Sequence, residues 1–304
     1  MYKREKNIKV LIIWRGPSPY RVDFFNELGK LCDLTVLFER RPDQITDKEK
    51  SWFHEDFTHF KGIYLKSITF RNTAFSLEQF KYLRKNAEYD YIVIGMYSTF
   101  IQMSSLLYLK LFKIPYLLNS DGGFIKKENK ITYYIKRFFI SGAKAYLSSS
   151  KGTSKYLQYY GANNKIMVYP FTTSFQKDVY KNLTAEDKLK YKKILGIKYN
   201  VIILFSGQFI YRKGVDILLK AAKNISKQCG IYIVGGEPTR EYLSLCKENN
   251  LNNVHFIGFT PPQDLAQYYI ASDIYVLPTR EDIWGLVINE AMAYGLPIIT
   301  TDNC

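Results

Sequence analysis

Two carboxylates stand eight positions apart in one of the least charged stretches of the chain. In PTREDIWGLVINEAMAYGLP, 278–297, Glu290 is the only charged residue between Asp282 and Gly295. A carboxylate among Leu, Val, Ile and Met side chains is costly unless a partner hydrogen-bonds it. Two interpretations stand: a buried ion pair with an Arg or Lys elsewhere, or a carboxylate that faces a cleft and accepts hydrogen bonds from ligand hydroxyls.

The pattern around this pair predicts where each carboxylate lies. DIYVLP, 273–278, reads as a strand, TRED as a loop, and WGLVINEAMAY as a helix that ends at Gly295 with Pro297 just beyond. The helix is apolar almost all round, so we expect it to be buried. Asp282 then lies in the loop at its start, and Glu290 lies about one turn deeper along its axis.

A pair of cations precedes another predicted helix. Arg212 and Lys213 stand directly before GVDILLKAAKNI, in the loop SGQFIYRKG that follows the predicted strand VIILF. The amino end of a helix offers unpaired amides and the positive end of its dipole, so two cations beside it suit a diphosphate. On its own, such a pair is more often solvated surface than a ligand site.

The elements that position these residues alternate between short apolar runs and helical patterns. In the first half the predicted strands are KVLIIW, DLTVLFE, YDYIVIG, IPYLLNS, AKAYLSS and KIMVYPF, with HFKGIYLKSITF as a further candidate. In the second half they are VIILFSG, IYIVGG, NVHFIGF, DIYVLP and LPIITT. These runs are continuously apolar, as expected of parallel strands buried on both faces.

This alternation predicts an α/β protein of two doubly wound, Rossmann-like domains that face each other across a cleft. We place the first domain at 1–175 and the second at 176–304, with 172–200 as a linker that includes one surface helix. Ligands of open parallel sheets bind beyond the carboxyl ends of the strands. That rule selects four loops of the second half: SGQFIYRKG, GGEP, GFTPPQ and PTREDIWG.

The segments that carry these loops resemble, in order, the nucleotide-sugar-binding half of retaining glycosyltransferases of the GT-B fold, in particular family 4 (the group 1 glycosyltransferases). They are SGQFIYRKGVDILLKA, IYIVGGEP, VHFIGFTPPQDLAQYYIASDIYVLPT and REDIWGLVINEAMAYGLPIIT. The resemblance covers essentially all of 200–304 and continues more weakly through WRGPSPYRVDFFNELGK, SDGGF and the segment ending in VYPF. It implies a GT-B fold and a sugar-transferring enzyme whose nucleotide-sugar is a substrate, with no cofactor.

The resemblance also implies roles for the two carboxylates. The family's E-x7-E signature matches Asp282 through Glu290, so an Asp stands in its first position. Glu290 would hold the ribose hydroxyls of the donor nucleotide. The transferred sugar would contact the Asp282 carboxylate and three backbone amides, those of Ile283, Trp284 and Gly285.

Phosphate-binding residues follow from the same resemblance. Lys213 matches the family's lysine on the donor diphosphate, while the partner arginine of that motif falls at Gln208, a departure for which Arg212 is a candidate substitute. The GGEP loop (235–238) and the GFTP loop (258–261) match loops that line the phosphate and base pocket. The glycines implied as donor-binding are Gly207, Gly235 and Gly236.

One residue of the first half joins the implied catalytic set with Asp282 and Lys213. Asp121, in SDGG, lies about where many relatives carry a histidine near the transferred sugar. Fixed cations and helix amides stabilise a departing diphosphate without a metal, and the resemblance implies that the donor phosphate receives the acceptor's proton. We therefore predict no metal site, and the three histidines, His54, His59 and His255, lack metal-ligand spacing.

The net charge of +15 calls for an anionic partner. A nucleotide-sugar and an anionic membrane surface both fit, whereas nucleic acid ranks last because the chain carries no recognition motif for it. The segment IKKENKITYYIKRFFISGAK, 125–144, interleaves lysines with aromatics and resembles a helix that lies in a membrane interface. The alternative is an amphipathic helix whose aromatics face the protein core.

Other features bear on location. No run of about 18 apolar residues suggests a membrane span, and MYKREKNIKVLIIW reads as a first core strand rather than a signal peptide. The four cysteines lack paired spacing, which favours free thiols in a reducing compartment. We expect a cytoplasmic protein, peripheral on the inner face of the cell membrane.

The chain stops at IITTDNC, where relatives usually continue, so we expect a second domain that is incomplete at its C-terminus. The leading hypothesis is sugar transfer to a glycan or lipid-linked acceptor in cell-surface polysaccharide synthesis, as for capsule or lipopolysaccharide. The alternative is a truncated, inactive homologue that binds nucleotide or serves as a partner subunit.

Overall fold

Two parallel β-sheets organise the chain, one in each of the units into which it divides, Met1–Ser174 and Phe175–Cys304. The structure is a computed structural model that describes residues 8–44, 55–70, 73–169, 183–282 and 284–304. The boundary predicted between 175 and 176 and the first part of the predicted linker lie outside the described residues.

The first sheet has the strand order β3-β2-β1-β6-β7-β8-β9, all parallel. The strands of this unit are β1 (Lys9–Trp14), β2 (Asp33–Phe38), β3 (Lys61–Tyr64), β4 (Ile68–Phe70), β5 (Thr73–Phe75), β6 (Tyr91–Ile94), β7 (Leu117–Ser120), β8 (Ala145–Ser148) and β9 (Ile166–Val168). Its helices are α1 (Pro19–Gly29), α2 (Gln79–Leu83), α3 (Phe100–Leu111), α4 (Lys130–Ile140) and α5 (Lys151–Tyr159), with 3-10 turns at Pro42–Gln44 and Asn86–Glu88.

Both faces of this sheet are covered. Leu11 and Ile13 of β1 pack into a core with α3, α4 and α5, while Val10, Ile12 and Trp14 pack on the opposite face with α1. Successive side chains of a strand point to opposite faces, so a strand buried on both needs an unbroken apolar run. The prediction of buried parallel strands from such runs is confirmed.

The second sheet repeats the same order with five strands, β12-β11-β10-β13-β14, all parallel. The strands are β10 (Val201–Ser206), β11 (Cys229–Val234), β12 (Val254–Ile257), β13 (Ile274–Leu277) and β14 (Ile298–Thr300). The helices are α6 (Ala185–Ile194), α7 (Val215–Ala222), α8 (Arg240–Glu248), α9 (Pro262–Ala271) and α10 (Leu286–Ala293), with a 3-10 turn at Tyr211–Lys213. In both units the first strand lies in the interior of the sheet. The next two strands are added on one side of it and the later strands on the other, so the strand order reverses beside the first strand.

One short element was not predicted. Strands β4 and β5 form an antiparallel hairpin apart from the main sheet, with Ile68 opposite Phe75. The candidate strand HFKGIYLKSITF includes ITF, and no predicted strand covers β5. The ring of Phe75 packs on Phe100 at the start of α3, with 4.9 Å between ring centroids. Such a tertiary contact leaves no periodic signal in three residues.

The reversal in the second sheet brings two loops into contact. Gly214, in the loop after β10, has φ 73° and lies so close to the loop after β13 that a Cβ here would be 1.9 Å from the carbonyl oxygen of Pro278. The Arg212 carbonyl oxygen accepts hydrogen bonds from the Arg280 amide at 2.8 Å and from Thr279 Oγ1 at 2.9 Å. These loops therefore hold each other in place.

We expect Gly214→Ala to destabilise the protein more than Gly196→Ala does. Gly196 has φ 66° and nothing within 4 Å of a built Cβ, so its replacement costs only the left-handed backbone, about 1–2 kcal/mol. At Gly214 the two loops must also separate, which adds at least about 1 kcal/mol. Urea unfolding of both variants measures the difference, and equal losses would contradict the tight contact between the loops.

A buried carboxyl group lies at the end of β2. Glu39 is 1% exposed and accepts a hydrogen bond at 2.9 Å from the hydroxyl of Thr99, which also caps α3 by accepting from the Gln102 amide. Burial raises the pKa of Glu39 to about 7, and the hydrogen bond from Thr99 and the charge of Arg15 oppose this rise only in part.

Stability should therefore fall as pH rises through the range in which Glu39 ionises. The folded protein binds this proton more tightly than the unfolded chain, whose glutamate has a pKa near 4.5, so stability declines between about pH 4.5 and 7 and then levels off. We expect Glu39→Gln to gain up to about 3 kcal/mol on the wild type over that range. Chemical unfolding at pH 5 and pH 8 tests this, with the exposed Glu88→Gln as control. Parallel curves for wild type and Glu39→Gln would refute it.

Candidate functional site

Four loops leave the carboxyl edge of the second sheet. Those at 207–214 and 278–285 follow the central strands β10 and β13, on either side of the point where the strand order reverses, and those at 235–239 and 258–261 follow β11 and β12. Ligands of open parallel sheets bind at this edge. The four loops selected from the sequence thus meet at one edge of one sheet, as predicted.

Asp282 pairs with both cations of the loop at 207–214. Lys213 Nζ contacts its Oδ2 atom, and Arg212 NH1 lies 3.5 Å from its Oδ1 atom. The side chains of Asp282 and Lys213 are 10% and 14% exposed, while that of Arg212 is 39% exposed. Burial pushes the pKa of Asp282 upward, but the bonds from Lys213 and the Trp284 amide and the charge of Arg212 outweigh it, so the net pKa is lowered. The carboxylate is therefore ionised at neutral pH.

A second ion pair braces the same loops and was missed by the sequence reasoning. Arg280 forms a two-pronged pair with Asp216, with both N–O distances 2.7 Å, and its guanidinium lies 3.8 Å from the ring centre of Tyr211. Arg280 lowers the pKa of Asp216. In the sequence, Asp216 looks like an ordinary first-turn acid and Arg280 like an ordinary loop cation. Only the strand order brings them together.

The helix that carries Glu290 is less buried than expected. Of α10 only Ala291 is buried, and Met292 is 60% exposed. The prediction of a buried helix is thus wrong for this structure, because an apolar composition does not by itself supply neighbours. Glu290 lies in the second turn and is half-buried, as its position in the helix predicted.

A tyrosine satisfies the Glu290 carboxylate. The hydroxyl of Tyr269, on α9, donates to Glu290 Oε2 at 2.8 Å. The same hydroxyl lies 2.9 Å from Ser206 Oγ, which is 3.1 Å from the hydroxyl of Tyr275. Burial, then the neighbouring Tyr275 and Glu290, raise the pKa of Tyr269 well above its usual value, so its proton stays in place to be donated. Sequence reasoning weighed an Arg or Lys partner and did not foresee a neutral donor.

The glycines of the predicted site lie where backbones touch. A Cβ on Gly235 would be 2.5 Å from the Gly207 carbonyl oxygen, and one on Gly236 would be 3.2 Å from the ring of Phe209. The loops after β10 and β11 are therefore in contact, as those after β10 and β13 are. Gln208, between them, has an exposed side chain.

The remaining predicted residues are placed as follows. Ile283 lies outside the described residues. The Trp284 amide is 3.5 Å from Asp282 Oδ1, and Gly285 precedes the first turn of α10 with φ 51°. Among the described residues, no group of three His, Cys, Asp or Glu side chains is arranged to hold a metal ion. His54 is outside the described residues, and His255 stacks on Tyr232 at 4.7 Å.

Asp121 belongs to the other unit, where it takes part in a network at the end of β7. It pairs with Arg21 NH2 and accepts a hydrogen bond at 2.9 Å from Asn119 Nδ2. Tyr169 donates to Asn119 Oδ1 at 2.6 Å and accepts from Arg21 NH1 at 3.3 Å. Arg21 is only 4% exposed. The structure thus brings Asp282, Lys213 and Arg212 together, and it pairs Asp121 with residues of its own unit.

Comparisons with known proteins find relatives that match chiefly the second unit. Residues 187–304 match the family model described as glycosyl transferases group 1. An uncharacterised glycosyltransferase of Methanocaldococcus jannaschii is 31% identical over 40% of this chain and 32% of its own length. The lipopolysaccharide glucosyltransferase WaaG of Escherichia coli is 29% identical over 38% of this chain and 32% of its own. A protein of the cps region of Klebsiella pneumoniae is 27% identical over 58% and 48%. The chain spans between a quarter and half of the length of the first curated relatives that it matches.

Solved structures match over nearly the whole chain. HepE of Anabaena in complex with UDP and glucose superposes with a TM-score of 0.71 at 17% identity, over 97% of this chain and 81% of that one. WaaG superposes with a TM-score of 0.66 at 17% identity, over the same shares. A membrane-spanning helix is not found, since none of the described helices is both long and apolar enough to cross a bilayer. Residues 187–304 are thus similar to the group 1 glycosyltransferases, and the fold of the chain is that of the GT-B glycosyltransferases.

Proposed function

We propose that this protein is a retaining glycosyltransferase that moves a sugar from a nucleotide-sugar to a glycan or lipid-linked glycan. The observation that carries the proposal is the cluster of Lys213, Arg212 and Asp282 at the strand-order reversal of the family-matched unit. Two relatives support the setting, the lipopolysaccharide glucosyltransferase WaaG and the cps-region protein of Klebsiella. We place the reaction in cell-surface polysaccharide synthesis, with capsule and lipopolysaccharide as the candidate products.

The donor's diphosphate meets the two cations at the start of α7. Lys213 is held beside Asp282, so a diphosphate replaces or shares that partner when it binds. As the bond between the sugar and the phosphate breaks, negative charge grows on the departing diphosphate. Fixed cations and helix amides in a half-buried site stabilise that charge without reorganising, so the proposal requires neither a metal nor a cofactor.

The two carboxylates bind the sugar and the nucleoside. Asp282, with the amides of Ile283, Trp284 and Gly285, accepts and donates hydrogen bonds around the transferred sugar. Glu290, held by Tyr269, accepts from the ribose hydroxyls. The nucleotide in the HepE structure is UDP, which favours a uridine donor among the alternatives.

The transfer step balances without a side-chain nucleophile. The anomeric carbon leaves the diphosphate oxygen and bonds to the acceptor hydroxyl oxygen on the same face. The acceptor's proton passes to the departing diphosphate. Asp121 remains a proposed catalytic residue in this scheme, and its pairing with Arg21 keeps the carboxylate fixed. The acceptor side belongs to the first unit, and we place the protein in the cytoplasm, peripheral on the inner face of an anionic membrane.

Lys213→Ala should lower sugar transfer at least about 100-fold, since loss of one charge-stabilising donor typically costs that much. The matched control is Lys188→Ala. It removes another lysine–aspartate pair of the same unit, in which Lys188 Nζ lies 2.5 Å from Asp273 Oδ1. The assay measures release of the nucleoside diphosphate, which reports both transfer and donor hydrolysis. An unchanged rate in Lys213→Ala contradicts the assignment, and nucleotide binding without turnover in the wild type favours a nucleotide-binding partner subunit.

Donor binding should depend on Glu290. UDP-, GDP- and ADP-sugars are screened by thermal shift. The nucleotide-sugars of one base should raise the unfolding midpoint of the wild type, because such ligands bind only the folded state. Glu290→Ala should abolish that rise, and Tyr269→Phe should weaken donor affinity several-fold by loosening the carboxylate. The exposed Glu248→Ala should behave as the wild type. A full midpoint rise in Glu290→Ala would rule out its role in donor binding.

A further inference from the structure

An apolar stripe faces outward on α4. Ile131, Tyr134, Ile135 and Phe138 are 74%, 64%, 50% and 48% exposed. Their spacing of three, four and seven positions puts them on one side of the helix. Phe139 and Ile140 on the inner side are buried in the core. The alternative from the sequence, in which the aromatics face the core, is therefore wrong for Tyr134 and Phe138.

The stripe continues onto α3. Phe100, Leu107 and Leu111 share one side of that helix and are 39%, 46% and 76% exposed. Lys110, which flanks that side, donates to the Phe138 carbonyl oxygen of α4, and its amine lies 4.7 Å from the Phe138 ring centre. The two exposed apolar sides are thus neighbours. Contiguous exposed apolar surface of this kind marks an interaction site.

Positive charge surrounds this surface. Residues 107–144 contain eight Lys and Arg side chains and two acidic ones. Both acids are paired inside the unit, Glu128 with Lys136 and Asp121 with Arg21. A cavity of about 400 Å³ opens where both helices end, and its lining includes three lysines, Lys110, Lys113 and Lys144. The surface therefore offers an apolar centre with cations at its edges.

We propose that the outward sides of α3 and α4 form a docking surface for an anionic phospholipid bilayer. Helices of this composition lie in the membrane interface, with the apolar side in the acyl boundary and long cationic side chains reaching the phosphates. Lys126, Lys127 and Lys130 are exposed beside the stripe, and Lys113 and Lys144 at the cavity suit a lipid headgroup. The proposal rests on the membrane contact of the proposed function and assigns that contact to α3 and α4. Membrane binding there does not require transfer activity.

The docking surface has a consequence for the acceptor. Helix α3 begins at the carboxyl edge of the first sheet, directly after β6, and Phe100 at that end belongs to the stripe. A bilayer against this side lies along the sheet face and reaches the edge that carries the Asp121 network. A lipid-linked acceptor then needs only a short polar spacer to reach that edge.

Vesicle co-sedimentation of the full chain tests the proposal. Binding to vesicles of equal phosphatidylcholine and phosphatidylglycerol should be at least about tenfold tighter than to phosphatidylcholine alone, and added salt should weaken it. The double variant Ile131→Ser with Phe138→Ser should lose at least about tenfold in binding, and so should Lys126→Glu with Lys127→Glu. The controls are Ile194→Ser with Leu243→Ser, at 58% and 51% exposed, and Lys223→Glu with Lys247→Glu, in the other unit.

Every outcome of this experiment either supports or overturns the docking proposal. Wild-type vesicle binding by the stripe variants, or no binding by the wild type, overturns the proposal. So does a wild-type dimer that the stripe variants convert to monomer without any vesicle binding, because the surface then joins two copies of the chain. All positions are exposed, so unfolding midpoints should match the wild type. A nucleotide-induced midpoint rise that persists in the stripe variants separates this inference from the donor site.

Discussion

The second unit depends on one contact, the approach of the loop after β10 to the loop after β13. A hydrogen atom is all that fits on Gly214 against the Pro278 carbonyl. The Arg280–Asp216 pair and the bonds to the Arg212 carbonyl fasten the same two loops. Because the loops are locked, Lys213 and Asp282 are held side by side. The position of the charges is therefore a property of the strand order, which makes β10 and β13 neighbours although they are far apart in sequence.

The first sheet has the same reversal, but its edge is organised differently. There Arg21 is buried and pairs with Asp121, and Asn119 and Tyr169 complete a closed network. In the second unit two cations share the Asp282 carboxylate, and one of them, Arg212, reaches solvent. An anionic ligand finds exchangeable cations at the second edge, whereas the first edge offers a fixed carboxylate. The same topology thus places a partly exposed cation at the edge of one sheet and a buried arginine–aspartate pair at the edge of the other.

Sequence patterns predicted the strands of the two parallel sheets and the four loops, because both rest on local signals: unbroken apolar runs, and Gly or Pro at their ends. They failed where a contact joins distant elements. Nothing near Glu290 identifies Tyr269 as its donor, and nothing near Asp216 identifies Arg280. The wrong prediction of burial for α10 has a related cause. An apolar composition indicates that a helix surface favours contact with other apolar groups, but it does not identify the element that makes the contact. The outward stripe on α4 presents the same question, and there the surrounding lysines point to lipid.

The partner of Glu290 bears on what this edge can distinguish. The Tyr269 hydroxyl donates to one oxygen atom of the carboxylate and carries no charge of its own. The buried hydroxyls of Ser206 and Tyr275 fix that tyrosine from behind. A charged acceptor favours neutral hydroxyl donors and repels phosphate, while Lys213 and Arg212 do the reverse. Opposite charges on α10 and before α7 therefore suit a ligand that carries phosphate at one end and hydroxyls at the other, as the proposed nucleotide-sugar donor does.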